Sequence, residues 1–302
     1  MSYGLTLPLR KIIFLVFLAV VILLASLPAL GRKNSEEGTV LTLDFAIAET
    51  LFEILDTPVA MGGVNNYKSW VGENSTPQNL VSIGTIPQPN KELISTINVS
   101  TILAPPQYIY LEDDLSRIAP VEQLSLYDNN PMRSWEKMVK FTKEIGVRVG
   151  REQEANFLIS ESEEHFSRLR EISNSIPSPL LIIQFLDERH VRVYGENSLP
   201  GTVLDQLELD NAWDGPTNQW EFSIISISEL FNYDVHLVIV DASHLPSRKA
   251  VQDGIMASGL WNRLPSVQKN NTTLLNANFW VFGAIPSTIR FADSLVNALD
   301  SN

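Results

Sequence analysis

The stretch that decides the fold is residues 151–175, REQEANFLISESEEHFSRLREISNS. Pro177 and Pro179 follow it and would end a helix. Its apolar residues recur every three or four positions, with charged residues between them: Ala155, Leu158, Ile159, Phe166 and Leu169. At about 1.5 Å per residue such a helix would be about 35 Å long. The sequence therefore predicts one long helix over residues 151–176, near the middle of the chain.

Before this helix, short strand-like and helix-like patterns alternate through residues 38–150, which we call the first lobe. The strand candidates are residues 40–43, 57–61, 80–83 and 101–104. The helix candidates are residues 44–55, 91–97, 113–118 and 135–149. This alternation is typical of an α/β lobe with a largely parallel sheet.

A second alternation follows in residues 177–302, which we call the second lobe. Asn197 or Ser198 caps a predicted helix that runs to Leu207. The strand candidates are residues 180–185 (LLIIQF), 190–194 (HVRVY) and 235–240 (VHLVIV). The expected fold is α/β, with two Rossmann-like lobes joined by a single long spine helix. The cleft between two such lobes is the natural place for a ligand.

The amino terminus carries an export signal or a membrane anchor. Residues 12–25 (IIFLVFLAVVILLA) contain no polar side chain and follow Arg10 and Lys11. Pro28 and the small residues that follow it favour a cleavable signal peptide over residues 1–31. The alternative is an uncleaved anchor, because residues 12–30 approach the ~20 residues that span a bilayer. Either way, we expect the rest of the chain to lie in the periplasm.

Composition excludes several classes of function. The 302 residues include 22 Lys and Arg against 35 Asp and Glu, a net charge of −13. This argues against nucleic-acid binding, which needs basic clusters to neutralise phosphates. The chain has no cysteine, so disulfides, thiolate metal sites, cysteine nucleophiles and a lipidated cysteine anchor are all excluded.

We find no catalytic or metal-ligating pattern. The chain lacks G-x-S-x-G, G-x-x-x-x-G-K-[ST] and G-x-G-x-x-G motifs. Its four histidines show no H-x-x-x-H spacing, and the acidic pairs at residues 113–114 and 163–164 are interpreted as solvated helix faces. We therefore expect neither an enzyme nor a resident metal or cofactor.

Aromatic residues in polar, loop-like segments are the more informative feature. They lie in both lobes: Tyr67, Trp70, Tyr108, Tyr110, Trp220 and the run FWVF at residues 279–282. Loops at strand ends are where α/β folds bind their ligands. Together these residues predict an aromatic-lined cleft.

Several blocks of sequence, in this order, resemble one known family. They include DFAIAETL at residues 44–51, NYKSW at 66–70, PNKEL at 89–93, LSRIAP at 115–120 and NAWDGPTNQW at 211–220. The chain is similar to periplasmic ferric-siderophore-binding proteins, and most similar to their ferrichrome, or iron-hydroxamate, branch. The resemblance covers nearly all of the chain after the leader.

This resemblance implies the substrate-binding component of an ABC importer. A ferric siderophore would be held between the lobes and delivered to a membrane permease with its ATPase, and we expect a monomer. The residues that match the family's ligand-contacting aromatics are Trp70, Tyr108, Trp220 and, more loosely, Trp280 and Phe282. Tyr67 and Lys68 complete the predicted binding set. Acidic residues that dock on the permease are expected at Asp113 and Glu229.

One departure from the family pattern concerns an arginine that would contact the iron-bound oxygens. It would align near Ile86, but residues 83–90 (IGTIPQPN) contain no basic residue. Candidate replacements are Lys68 in the first lobe and three arginines in the second: Arg189, Arg192 and Arg290.

Three other functions stay open on the sequence alone. The chain could carry another iron chelate or a cobalamin-like ligand. It could also be a non-transport envelope protein that retains the fold. An envelope enzyme is the third alternative, although it would need a nucleophile or base that the sequence does not reveal.

Overall fold

Two five-stranded sheets form the framework of the computed structural model, which describes residues 38–72, 75–127, 134–241, 246–276 and 278–300. The predicted leader at residues 1–31 lies outside these residues, so cleavage and anchoring both stay open. No helix in the described part of the chain is both long and apolar enough to cross a membrane.

The first sheet is entirely parallel, as the first lobe's pattern predicts. Its strands are β1 Thr39–Thr42, β2 Val59–Met61, β3 Val81–Ser82, β4 Val99–Ala104 and β5 Val121–Gln123. Their order across the sheet is β3-β2-β1-β4-β5. The chain therefore builds outward from β1 in one direction and then returns to the other side of β1. In such sheets a crevice opens at the carboxyl ends of the two strands where the direction changes, here β1 and β4.

Helices connect these strands. They are α1 Phe45–Ile54, α2 Val64–Val71, α3 Lys91–Ile94, a 3₁₀ helix at Pro106–Leu111 and α4 Glu112–Leu115. Asp44 caps α1 because its carboxylate accepts a hydrogen bond from the backbone N–H of Ile47 at 2.9 Å. Among the described residues between 55 and 127, no helix is longer than α2, so this part of the first lobe is built from short elements.

Two long helices follow the first sheet, α5 Ser134–Val149 and α6 Glu152–Ser173. The 22-residue α6 confirms the predicted long helix. The two helices approach closely at Gly146, where an added Cβ would lie 2.6 Å from the Cβ of Ala155. Phe166 of α6 is fully buried and meets Trp135 of α5 edge to face, with ring centroids 5.4 Å apart.

The second sheet is mixed. Its strands are β6 Leu180–Phe185, β7 His190–Tyr194, β8 Phe222–Ser226, β9 His236–Asp241 and β10 Thr272–Asn276, in the order β10-β9-β6-β7-β8. The pairs β10–β9 and β9–β6 are parallel, whereas β6–β7 and β7–β8 are antiparallel. The predictions of β6, β7 and β9 are confirmed, and every residue of β6 is buried.

The remaining helices surround this second sheet. They are α7 Leu199–Gln206, a 3₁₀ helix at Ile227–Asn232, α8 Pro246–Met256, a 3₁₀ helix at Trp261–Arg263, α9 Pro265–Gln268 and α10 Ile285–Asp300. Ser198 caps α7 by accepting a hydrogen bond from the N–H of Gly201 at 3.0 Å, as one of the two predicted caps.

One apolar core runs through both lobes. It joins Leu51 of α1, Phe141 of α5, Phe166 of α6, Leu204 of α7 and Phe291 of α10. The last helix, α10, contacts helices of both lobes as well as α6. The spine helix therefore has a partner, because α10 also bridges the two halves of the fold.

Candidate ligand-binding cleft

A cavity of about 360 Å³ lies at the carboxyl ends of β1 and β4, where the strand order of the first sheet reverses. Its lining comes from both lobes: Leu43, Asp44, Phe45, Ile86, Gln107, Tyr108 and Tyr127 from the first, and Arg192, Trp220, Phe222, Trp280 and Phe282 from the second. Seven of these twelve side chains are aromatic. The cavity is therefore suited to a ligand with a large apolar surface.

The first-lobe wall follows from the topology of the first sheet. Asp44 and Phe45 come soon after β1, and Gln107 and Tyr108 come soon after β4. Burial raises the pKa of the Asp44 carboxyl, against the opposing effect of its hydrogen bond from Ile47. Asp44 thus serves both as the cap of α1 and as the acidic group of the described cavity wall.

Ile86 occupies the wall where the family resemblance places an arginine. Its loop packs against the start of α2, where an added Cβ on Gly62 would lie 3.0 Å from the Cα of Ile86. The adjoining backbone is fixed by a hydrogen bond from the N–H of Gly63 to the carbonyl of Gly84 at 2.7 Å. The first lobe therefore presents an apolar surface at this point of the cavity.

The second-lobe wall is a connected group of rings. Trp280 and Phe282 lie between β10 and α10, with ring centroids 5.4 Å apart. Phe282 also contacts Trp220 at 6.0 Å and Phe222 at 6.0 Å. Since Trp220 meets Tyr127 of the first lobe at 5.3 Å, the aromatic lining is continuous between the lobes.

Arg192 of β7 brings a guanidinium into this aromatic wall. Its Cζ lies 4.3 Å from the ring centroid of Phe222 and 5.3 Å from that of Phe282. Its Nη1 donates a hydrogen bond to Oε1 of Gln184 at 2.9 Å, while its Nε has no hydrogen-bond partner among the described residues. Arg192 is the one basic side chain in the described lining of the cavity.

The other candidate replacements for the family's arginine lie elsewhere. Arg189 is exposed next to β7, and Lys68 is half-buried on α2. Arg290 of α10 forms an ion pair with Glu49 of α1 at 2.7 Å. None of these three side chains lines the cavity. Of the four candidates, the structure places Arg192 alone in the cleft.

Four of the predicted binding residues line the cavity, namely Tyr108, Trp220, Trp280 and Phe282. Trp70 does not line the cavity and instead packs edge to face against Trp280, with ring centroids 5.4 Å apart. Tyr67 differs from the prediction, because its side chain is fully buried and packs against Phe45 at 5.3 Å.

Five cavity residues with aromatic or polar side chains are absent from the binding set predicted from the sequence. They are Asp44, Phe45, Gln107, Tyr127 and Phe222. The first three lie just beyond β1 and β4, so the strand order of the first sheet would have indicated them. Phe222 and Tyr127 carry no such signal, because they reach the cavity through the pairing of β8 and through contact with Trp220.

The two predicted docking acids are both exposed. Asp113 lies in α4, between Asp114, which forms an ion pair with Lys91, and Glu112, which accepts a hydrogen bond from Nε2 of Gln123 at 2.9 Å. Glu229 lies in the 3₁₀ helix after β8, where its Oε1 accepts a hydrogen bond from the N–H of Ser226 at 2.8 Å. Among the described residues, no group of three or more His, Asp or Glu side chains is arranged to hold a metal ion.

Comparison with known proteins supports the sequence resemblance. The chain is 27% identical over 280 residues to the iron(3+)-hydroxamate-binding protein FhuD of Escherichia coli, covering 90% of this chain and 92% of that protein. The structure of the Fe3+–Desferal-bound siderophore-binding protein FhuD from Vibrio cholerae superposes with a TM-score of 0.76 at 26% identity, covering 88% and 98% of the two chains.

A more distant structure shares the fold. Staphylococcus aureus SirA has a TM-score of 0.64 at 20% identity, covering 87% of this chain and 99% of its own. The family model described as periplasmic binding protein matches residues 40–278. This match takes in both sheets and the helices between them, and the chain belongs to the periplasmic binding protein family.

Proposed function

We propose that this protein is the substrate-binding component of an ABC importer and binds a ferric siderophore of the hydroxamate type in the cleft. The carrying observation is the cavity itself, which both lobes line with aromatic rings and into which the second lobe brings a guanidinium. The similarity to two FhuD proteins, one of them bound to Fe3+–Desferal, supports this ligand class.

The aromatic wall suits the organic skeleton of such a siderophore. Rings held edge to face by their neighbours offer a large apolar contact and lose little conformational entropy on binding. The ring pairs Trp280–Phe282 and Trp220–Phe282 of the cavity wall have this edge-to-face arrangement.

The charges of the cavity favour a complex with no net charge. Three hydroxamate groups carry three negative charges in total, and these balance one ferric ion. The iron-bound oxygens keep a partial negative charge, for which a guanidinium is a well-matched donor. In the described lining, Arg192 is balanced by one acid, Asp44. A ferric catecholate, with a net negative charge, would require several converging cations instead.

The surroundings of Arg192 suit a contact between its guanidinium and iron-bound oxygens. Among the described residues, none of the ion pairs involves its guanidinium. It shares a register position with Gln184 on the neighbouring strand, and Phe222 lies one diagonal step away on β8. The sheet therefore fixes the guanidinium while leaving donors for ligand oxygens.

Delivery to a permease is the second part of the proposal. Asp113 and Glu229 lie in different lobes and are exposed, so a permease with basic residues could contact both lobes at once. We place the mature protein in the periplasm, either free or held by residues 12–30, and propose that it acts as a monomer with no resident cofactor.

Tryptophan fluorescence tests the ligand class directly, because Trp220 and Trp280 line the cavity. We expect quenching by ferric hydroxamates at lower concentrations than by ferric catecholates, ferric citrate or cobalamin. Trp220→Ala should weaken this response. The matched control is Trp213→Phe, since Trp213 packs beside Tyr233, in a different apolar cluster. A protein that responds to none of these ligands is not a siderophore carrier.

A further inference from the structure

Glu49 is a buried carboxylate that the binding site described above does not use. It lies in the middle of α1 in the first lobe, and only 1% of its surface is exposed. A buried carboxylate is costly unless it is paired and hydrogen-bonded. Its partners therefore indicate what this residue does in the fold.

Every hydrogen bond that Glu49 accepts through its side chain in the described structure comes from the second lobe. Its Oε1 accepts from the backbone N–H of Ala284 at 2.6 Å. Its Oε2 accepts from Oγ of Ser287 at 2.5 Å and from Nη2 of Arg290 at 2.7 Å. All three donors lie at the start of α10 or just before it. The first lobe thus holds the beginning of the last helix.

The segment just before α10 carries two aromatic residues of the cavity wall. Ser287 Oγ, which donates to Glu49, also accepts a hydrogen bond from the backbone N–H of Trp280 at 2.9 Å. The N–H of Gly283 donates to the carbonyl of Trp280 at 2.8 Å and closes the turn that contains Phe282. Glu49 is therefore connected to Trp280 through a single side chain.

Gly283 leaves room for this arrangement. A Cβ at position 283 would lie 2.3 Å from Oε1 of Glu49 and 2.7 Å from Oγ of Ser287. Any other residue would displace the carboxylate or move the turn. The carboxylate consequently fills the space that a side chain at position 283 would need.

We propose that Glu49 is a positioning residue, which sets the Trp280–Phe282 part of the cavity wall from the opposite lobe. It contacts no ligand itself and acts through Ser287 and the backbone of Ala284. Because the cavity is proposed to hold a ferric hydroxamate, the binding test of this role rests on the proposed function, whereas the spectroscopic test does not.

Two variants break the connection at different points. Glu49→Gln removes the charge that pairs with Arg290, and Ser287→Ala removes the hydroxyl between Glu49 and Trp280 while leaving the ion pair. Asp293→Asn is the matched control, because it removes another carboxylate of α10, which lies 2.6 Å from Nε2 of His165 and away from the cavity residues. We expect both test variants to bind Fe3+–Desferal at least tenfold more weakly than the control.

The emission of Trp280 gives a readout that needs no ligand. Subtracting the spectrum of each variant combined with Trp280→Phe from that of the variant itself isolates this residue. We expect the Trp280 emission to shift in Glu49→Gln and Ser287→Ala but not in Asp293→Asn. Unchanged emission and unchanged affinity in both test variants would overturn the proposal, even if their melting temperatures fall.

Two further outcomes are decisive as well. If Glu49→Gln does not fold, Ser287→Ala alone decides, because it keeps the buried ion pair. If the wild-type protein binds no ferric hydroxamate, the proposed function fails, and the Trp280 emission still supports or overturns the role of Glu49.

Discussion

Phe45 of the first lobe and Trp280 of the second lobe meet edge to face, with ring centroids 5.3 Å apart and ring planes inclined by 75°. Both side chains line the cavity, and Phe45 is also in contact with the buried Tyr67. This pair is a point where the two walls of the cleft touch. Its removal is therefore expected to affect both the fold and the site.

Phe45→Ala should lower the free energy of unfolding by about 3 kcal/mol. This value is at the lower end of the range for truncation of a buried phenylalanine, because one side of the Phe45 ring already faces the cavity. It should also weaken quenching by Fe3+–Desferal. Urea unfolding and fluorescence titration measure the two effects. Phe157→Ala is the control, since Phe157 of α6 is 67% exposed, and it should change neither quantity appreciably.

Arg192→Gln should weaken binding of ferric hydroxamates by roughly ten- to a hundredfold, the effect of losing about 1.5–3 kcal/mol from hydrogen bonds to a charged group. Fluorescence titration measures the change. Arg189→Gln removes the same charge from an exposed position near the same strand and should bind like the wild type. Equal affinities for the two variants would contradict a role of Arg192 in ligand binding.

Ile86→Arg should change selectivity between ligands. A second guanidinium in the cavity would favour complexes with a net negative charge, so the affinity ratio of ferric catecholate to ferric hydroxamate should rise about tenfold. The control is Ile86→Met, which keeps an apolar side chain of similar size. If both variants show the wild-type ratio, the charge of this wall does not select the ligand.

The stability of the protein should depend on the protonation of Glu49. Burial raises the pKa of this carboxyl to about 7, against the opposing effect of Arg290, whereas the ordinary value is 4.5. The folded state then holds a proton that the unfolded state has lost between these two pH values. Protonation of Glu49 therefore stabilises the folded state by on the order of 3 kcal/mol. This contribution is fully present below about pH 4.5 and is lost as the pH rises through about 7.

Urea unfolding of the wild type and of Glu49→Gln between pH 5 and pH 8 measures this dependence. Glutamine does not titrate, so the difference in unfolding free energy between the two proteins should change across this range. Nearby Tyr67 and Tyr127 do not titrate there, because burial raises the pKa of both hydroxyls above its ordinary value of 10. A constant difference would show that Glu49 has the same charge throughout.

Charge reversal at the docking acids should separate transport from binding. We expect the double variant Asp113→Lys, Glu229→Lys to lose uptake by vesicles that contain the permease, because both contacts would become repulsive. Its affinity for Fe3+–Desferal should equal that of the wild type. Glu161→Lys on the exposed side of α6 is a control for reversed charge. An equal loss of ligand binding would count against the docking role.

The long helix and the buried strands could be predicted because their patterns are local. The apolar stripe of α6 and the four consecutive apolar residues that begin β6 identify these elements without knowledge of their neighbours. β8 and β10 were not predicted, and each is largely defined by the strand beside it. The two edge strands of the second sheet therefore required the structure.

Tyr67 lies in a segment whose polar composition conceals a local helical pattern. The sequence GGVNNYKSWVGE has the composition of a loop, but Val64, Tyr67 and Val71 are spaced as one face of a helix and are all buried in α2. The sequence alone could not show which of the candidate basic residues, Arg192 among them, lies in the cleft. Alternation along β7 separates it from Val191 and Val193, yet only the pairing with β6 and β8 places it beside Phe222 and in the cleft.

The ion pair between Glu49 and Arg290 joins residues 241 positions apart in the chain. The second wall of the cavity thus depends on the final helix, whereas Asp44 and Phe45 come from the first strand and helix described. A polypeptide that emerges amino terminus first can form its initial sheet early, but it acquires a complete cleft only when its last segment arrives. A chain cut short before α10 would retain the guanidinium of Arg192 but would lack the Ser287 hydroxyl that joins Glu49 to the backbone of Trp280.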